Sequence, residues 1–166
     1  KIVSTKKTKP VILAAGGGYG AVCSMAESFP VAARLSELGF SVFCLNYRVA
    51  DGKTLFPRPM EDMAAAYEFL NRNKDIFQID VEHYAVGGFS AGGHLAACWG
   101  TESLGYRKYK AIKPDLLLLA YPLINVWDTV KVMPEPLKSV ILEGYLGAGY
   151  SREISSIYNV DETIDG

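Results

Sequence analysis

Cysteine is scarce in this chain of 166 residues, with three in all. Cys23, Cys44 and Cys98 are odd in number and far apart. They have neither metal-ligand spacing nor the pattern of a disulfide framework. Cys44 and Cys98 lie in apolar segments and read as small core residues. A reducing, cytoplasmic setting fits this usage. An excess of charge of one sign is also lacking: 17 basic against 18 acidic residues leave a net charge of −1. That balance argues against a nucleic-acid partner, and there is no acidic tail. The one cationic cluster, Lys6-Lys7 with Lys9, reads as part of a solvated N-terminal tail over residues 1–9. No apolar run approaches the roughly 20 residues of a membrane span. No signal peptide is visible, and the chain begins at Lys1, so a removed leader stays open. Repeats, low-complexity stretches and internal linkers are absent. Histidine is nearly absent too, limited to His83 and His94.

What is present is a strong alternation of apolar strands and helices. Val11 to Ala15 reads as a first buried strand, ending in Gly16-Gly17-Gly18-Tyr19. Phe29 to Leu38 reads as a helix stopped by Gly39. Ser41 to Tyr47 is a second strand. Pro59 to Asn73 is a helix in which Met60, Met63, Ala64, Tyr67 and Leu70 recur at three-and-four spacing. His83 to Gly87 is a third strand, Ala91 to Trp99 a third helix with Gly100 as its stop, and Leu116 to Ala120 a fourth strand. Alternation of this kind implies right-handed crossovers and a mostly parallel sheet. Such uniformly apolar strands suit a sheet covered by helices on both faces, a three-layer α/β/α fold. Later segments are weaker. Leu137 to Leu146 and Glu153 to Tyr158 read as helices, and Val130 to Met133 is ambiguous.

The chemistry sits in Gly88-Phe89-Ser90-Ala91-Gly92-Gly93-His94-Leu95. Gly-x-Ser-x-Gly between a strand and a helix is the pattern of a nucleophile elbow, a sharp turn that lifts a serine oxygen above the sheet. The turn strains the serine backbone and needs neighbours almost without side chains. In a parallel sheet the C-terminal ends of the strands share one edge, where ligands bind. Ser90 and the Gly16–Tyr19 loop therefore converge. A glycine loop offers bare N–H groups to a developing oxyanion, and the residue after the serine offers another. Gly17, Gly18 and Ala91 are the candidate donors, with Tyr19 substituting for one glycine. A phosphate-cradling loop is the competing reading. It lacks both a Gly-Lys-Ser/Thr ending and the Gly-x-Gly-x-x-Gly register, since position 21 is Ala21. Nothing in these motifs calls for a cofactor or a metal.

The linked set resembles the α/β-hydrolase esterases. It comprises Gly16-Gly17-Gly18-Tyr19, Asn46-Tyr47-Arg48, the Asp80 segment, the Ser90 octapeptide and Ala120-Tyr121-Pro122. The likeness is to the acetyl-xylan-esterase-like and lipase/esterase branch, and it runs from Pro10 to about Asn159. Many relatives carry His before the glycine run where this chain has Ala15. The resemblance implies hydrolysis of short-chain, often acetyl, esters, commonly on carbohydrates. Tyr19, Tyr121 and Trp127 are candidates to line the substrate pocket.

A serine hydroxyl needs a base within hydrogen-bond reach. His83 stands at the start of the strand that ends in the elbow, roughly 20 Å from Ser90, and is expected to face solvent. His94 lies in the first turn of the helix under the elbow and reads as a packed structural residue. Asp128, Asp161 and Asp165 come late, and none directly follows a strong strand. Arg48 reads as structural, with Asp62 as its partner. These absences lead to the expectation that residues 10–166 form one domain incomplete at its C-terminus. Its partners would be a small ester and the missing part of the same hydrolase, from the same gene or a second chain. An exposed apolar edge beside Leu116–Ala120 would favour that association, or self-association. Two other readings stay open: a non-catalytic hydrolase-like binding domain, and a serine peptidase or amidase.

Overall fold

The computed structural model describes residues 7–51, 55–135 and 138. Four strands form one sheet: β1 (Pro10–Ala14), β2 (Ser41–Leu45), β3 (Ala85–Phe89) and β4 (Leu116–Ala120). The helices are α1 (Ser28–Glu37), α2 (Arg58–Arg72), α3 (Lys74–Phe77), α4 (Ala91–Gly100) and α5 (Val126–Lys131). Spatial order is β2-β1-β3-β4, and every pairing is parallel. The chain first steps from β1 outward to β2, then back past β1 to β3 and on to β4. With right-handed crossovers this reversal puts α1 on one face and α2 and α4 on the other. Contacts agree: α1 packs on β1 and β2, while α4 packs on β3, β4, β1 and α2. No described helix is long and apolar enough to cross a membrane.

Burial follows from these layers. Every residue of β1 is buried, because the strand is central and covered on both sides. All ten residues of α4 are buried as well, which its alanines and glycines permit. On α2 the buried stripe is Met60, Met63, Tyr67 and Leu70. On the same side of the sheet the Trp99 indole N–H donates to the Tyr84 hydroxyl at 3.0 Å, and that hydroxyl donates to the Ile112 carbonyl at 2.6 Å. Gly39 stops α1 with φ of +91°, a conformation that costs glycine little. Arg48 meets Asp62 as expected: its Nε donates at 2.8 Å, and its backbone N–H donates to the same carboxylate at 2.7 Å.

Several expectations change. The third strand begins two residues later than its apolar pattern suggests, because Tyr84 turns into the core before pairing starts. The second strand ends at Leu45, and the Tyr47 hydroxyl instead donates to the Ala15 carbonyl at 2.6 Å. Gly100 is the last helical residue of α4, and Thr101 follows as its cap. Lys7 to Lys9 do not hang free. Thr8 bridges Ile79 in parallel, its N–H donates to the Gln78 carbonyl, and its hydroxyl meets that of Ser41 at 2.5 Å. Of the ambiguous segment Val130 to Met133, Val130 and Lys131 end α5 and Val132 is its C-cap. The leucines of β4 are not buried on both sides: Leu116 is 53% exposed, and Leu118 and Leu119 more than a third. β4 is the edge strand of the described sheet, with a described neighbour on one side alone, β3. The expected helices over 137–146 and 153–158 lie outside the described residues, as do Asp161 and Asp165.

Candidate active site

Strand register brings the loops of the candidate site together. Ala14 pairs with Gly88, and Phe89 with Ala120, so the chain leaves β1, β3 and β4 at one edge. Ser90 follows β3 directly and precedes the first residue of α4. Its backbone has φ of +49° and ψ of −115°, a sparsely populated conformation that costs about 1–3 kcal/mol in a non-glycine residue. The surroundings hold it there. Its N–H donates to the Ala120 carbonyl at 3.1 Å, and its own carbonyl accepts from His94 N–H at 3.0 Å and Leu123 N–H at 3.3 Å.

Two glycines make this turn possible. A Cβ on Gly88 would lie 2.1 Å from the Gly92 carbonyl oxygen, and a Cβ on Gly92 would lie 2.1 Å from the Ala14 carbonyl oxygen. The helix thus sits directly on the ends of β1 and β3, and Ser90 is left half-buried at the edge.

The glycine loop lies alongside. Gly17, Gly18 and Tyr19 all have positive φ, at 121°, 64° and 50°. The Gly17 carbonyl accepts from Gly20 N–H and Ala21 N–H, and the Gly16 carbonyl accepts from Cys23 N–H at 2.9 Å. This folding turns the loop's carbonyls inward. The N–H groups of Gly17 and Gly18 donate to no described residue. Ala91 opens α4, so its N–H has no intrahelical acceptor.

Tyr19 differs from its expected role. Its side chain is fully buried rather than open to a pocket, and its hydroxyl shares a 2.7 Å hydrogen bond with His94 Nδ1. The other ring nitrogen of His94 lies 3.4 Å from Cys98 Sγ. His94 is buried in this network, pointing into the core beneath the turn. Burial also raises the Cys98 pKa, so this thiol stays protonated. His83 is exposed before β3, at the opposite end of the sheet from Ser90, with Nδ1 3.0 Å from Asp115. Asp128 is engaged within α5, by the Asn125 amide and by Lys131. Trp127 falls in α5, and its side chain lies outside what is described. Tyr121 follows β4 with φ of +39° and is 66% exposed.

One residue at this edge escaped the sequence reading. Glu27, just before α1, accepts a hydrogen bond from Gly16 N–H through one carboxylate oxygen. Its other oxygen accepts from the Tyr121 hydroxyl at 3.0 Å. That contact is the leading cause raising the Tyr121 phenol pKa. The available signal was an acidic residue at a helix start, shortly after a glycine loop. By contrast, a groove of about 580 Å³ beside α2, with Glu61, Tyr67, Glu68 and Tyr109 in its lining, contains none of the residues around Ser90.

The BD-FAE family profile matches residues 2–133. The chain belongs to the BD-FAE family. It is 27% identical over 130 residues to an acetylxylan esterase of Xylanibacter ruminicola, an alignment covering 78% of this chain and 26% of that protein. It is 33% identical over 100 residues to esterase LipC of Mycobacterium tuberculosis, covering 60% of this chain and 25% of LipC. Among solved structures, an acetyl ester-xyloside bifunctional hydrolase from Caldicellulosiruptor lactoaceticus superposes with a TM-score of 0.76 at 29% identity. That match covers 98% of this chain and 60% of the hydrolase. The BD-FAE chain therefore spans about a quarter of the length of these curated relatives. Its parallel sheet and helices are those of an α/β hydrolase, and the relatives named are esterases and hydrolases.

Proposed function

We propose that this BD-FAE domain is the nucleophile-bearing part of a serine carboxylesterase acting on short-chain, acetyl-type esters, including esters on carbohydrate. The observation that carries the reading is Ser90 held at φ +49° between two glycines at which an added Cβ would lie 2.1 Å from a backbone oxygen. Ser90 Oγ attacks the acyl carbonyl, and its proton passes to a base. The carbonyl π electrons move onto oxygen, which the N–H groups of Gly17, Gly18 and Ala91 receive. Collapse of this intermediate breaks the bond to the alcohol, which leaves with the proton. Water then releases the acid from Ser90. Each oxyanion donor is worth about 2.7–4 kcal/mol of transition-state stabilisation. The names of the acetylxylan and acetyl ester-xyloside relatives support the acetyl and carbohydrate specificity.

The base is the missing partner. His94 is buried against Tyr19 and Cys98, and His83 is at the far end of the sheet. The chain has no third histidine. In our reading the base and its acid come from polypeptide outside these 166 residues, and the isolated chain does not turn over ester. The position of the histidines also favours a second reading, a non-catalytic binding domain that keeps the elbow as scaffold.

The two readings separate in the protein at its natural length. Hydrolysis of p-nitrophenyl acetate and labelling by a fluorophosphonate, both abolished in Ser90→Ala, support the esterase. An unlabelled, inactive protein that still binds acetylated oligosaccharide supports the scaffold. Rapid turnover by the isolated 166-residue chain, lost in Ser90→Ala, would overturn the assignment of the base to other polypeptide.

A further inference from the structure

Glu27 occupies the N-cap position of α1 and makes no capping bond. Serine, threonine, aspartate and asparagine are the residues that cap helices well, and Glu27 stands where one of them belongs. Its carboxylate is committed elsewhere. One oxygen accepts from Gly16 N–H on the loop after β1, and the other from the Tyr121 hydroxyl after β4. In the sheet β3 lies between those two strands. The Glu27–Tyr121 contact therefore links the two loops that flank the end of β3, where Ser90 sits.

We propose that Glu27 is a positioning residue that pins the oxyanion loop against the nucleophile by holding Gly16 to Tyr121. This rests on the reading of Ser90 as a nucleophile. Gly16 is wedged at the contact: a Cβ there would be 2.9 Å from Ser90 Cβ and 3.0 Å from Glu27 Oε2. The Gly16 carbonyl shares a rigid peptide plane with Gly17 N–H. That carbonyl is held by Cys23 N–H, and the N–H of Gly16 is held by Glu27. The direction of the Gly17 N–H is thus set from both sides of Gly16. Placement of this kind matters because a misplacement of about 1 Å costs a reaction on the order of 100-fold.

Electrostatics alone would not put a carboxylate there. A negative charge near a developing oxyanion opposes it, more so where water is excluded. The two donors that Glu27 accepts from draw on that charge, and what the site gains is geometry. Tyr121 completes the brace: its left-handed backbone follows β4, and its ring lies 6.1 Å from that of Phe89.

The test uses the protein at its natural length, with Glu27→Ala, Glu27→Gln and Ser90→Ala. Active sites are counted by fluorophosphonate so that misfolded protein does not enter kcat. Glu27→Ala is expected to lower kcat for p-nitrophenyl acetate by about ten- to a hundredfold, with KM little changed. Glu27→Gln, which keeps an acceptor for Gly16 N–H and a polar partner for Tyr121, is expected to restore most of kcat. Unchanged kcat in Glu27→Ala, a loss confined to KM, or a Glu27→Gln enzyme as slow as Glu27→Ala would each overturn the proposal. Activity surviving in Ser90→Ala, or a natural-length protein that is neither labelled nor active, would overturn the reading of Ser90 as a nucleophile instead. Even then, hydrogen exchange at the Gly16 amide decides the pin: faster exchange in Glu27→Ala supports it, and unchanged exchange overturns it.

Discussion

Replacing Gly92 with alanine puts one methyl group into the tightest contact of the elbow. The new Cβ would lie 2.1 Å from the Ala14 carbonyl oxygen, 2.5 Å from that of Ala15 and 2.6 Å from the Ala14 carbonyl carbon. All three are backbone atoms of the central strand and its exit, so no rotamer change relieves the clash. Either α4 lifts off the sheet or β1 bends. Overpacking a core costs about 1–3 kcal/mol where side chains yield. Here only backbone can yield, which sets the expectation at about 3 kcal/mol or more. For a chain of this size that is roughly 6–12 °C in Tm. Two controls separate sterics from backbone preference. Gly39 has φ of +91° and open space around it, so Gly39→Ala carries only the conformational penalty, about 1 kcal/mol. Gly20 has its nearest neighbour at 3.9 Å and no positive φ, so Gly20→Ala should stay within about 0.5 kcal/mol. Thermal and urea unfolding of the three variants give the order directly. If Gly92→Ala loses no more than Gly39→Ala, α4 does not sit on the end of β1 as described, and the elbow argument fails with it.

Two further outcomes follow from the strained and bridged residues at the same edge. Ser90→Gly removes the penalty of a non-glycine residue at φ +49° and should stabilise the fold by about 1 kcal/mol after the added freedom of the unfolded chain is offset. A lowered Tm in that variant would mean that Ser90 is not strained. Tyr121 has its pKa raised by its hydrogen bond to Glu27, so its contribution to stability is fully present below its unfolded value and disappears as pH rises through the folded one. The Tm difference between the natural protein and Tyr121→Phe should therefore hold steady from neutral pH to about 10 and shrink above it. A difference that grows with alkalinity would contradict the Glu27 contact.

Local pattern was enough to locate the turn. Ser90 stands between an apolar strand and an alanine-rich helix, and Gly88 and Gly92 answer a steric demand that any sheet would impose at that spacing. The four strands and three main helices are legible for the same reason, since each has a period and a stop signal of its own. β3 starts two residues later than its apolar pattern because Tyr84, though it suits a strand, packs into the core before the ladder begins. Tyr19 read as a pocket residue because its backbone belongs to the glycine loop. Only the packing of α4 under that loop shows its ring turned inward to His94. Glu27 was invisible as a site residue because its partners are 11 and 94 positions away.

What the sequence determined by itself is the kind of edge this protein presents: a strained serine beside a loop of bare amides, at the ends of parallel strands. Those features are local, since backbone conformation and side-chain size decide them within a few residues. The tertiary structure decided which groups are spent and which remain available. It gave His94 its particular partners, the Tyr19 hydroxyl and the Cys98 thiol, turned the Tyr19 ring inward to meet it, and drew Glu27 and Tyr121 together across the end of β3. Such pairings arise from strand order and crossover handedness, which bring distant positions within hydrogen-bond reach and leave no periodic trace in the chain.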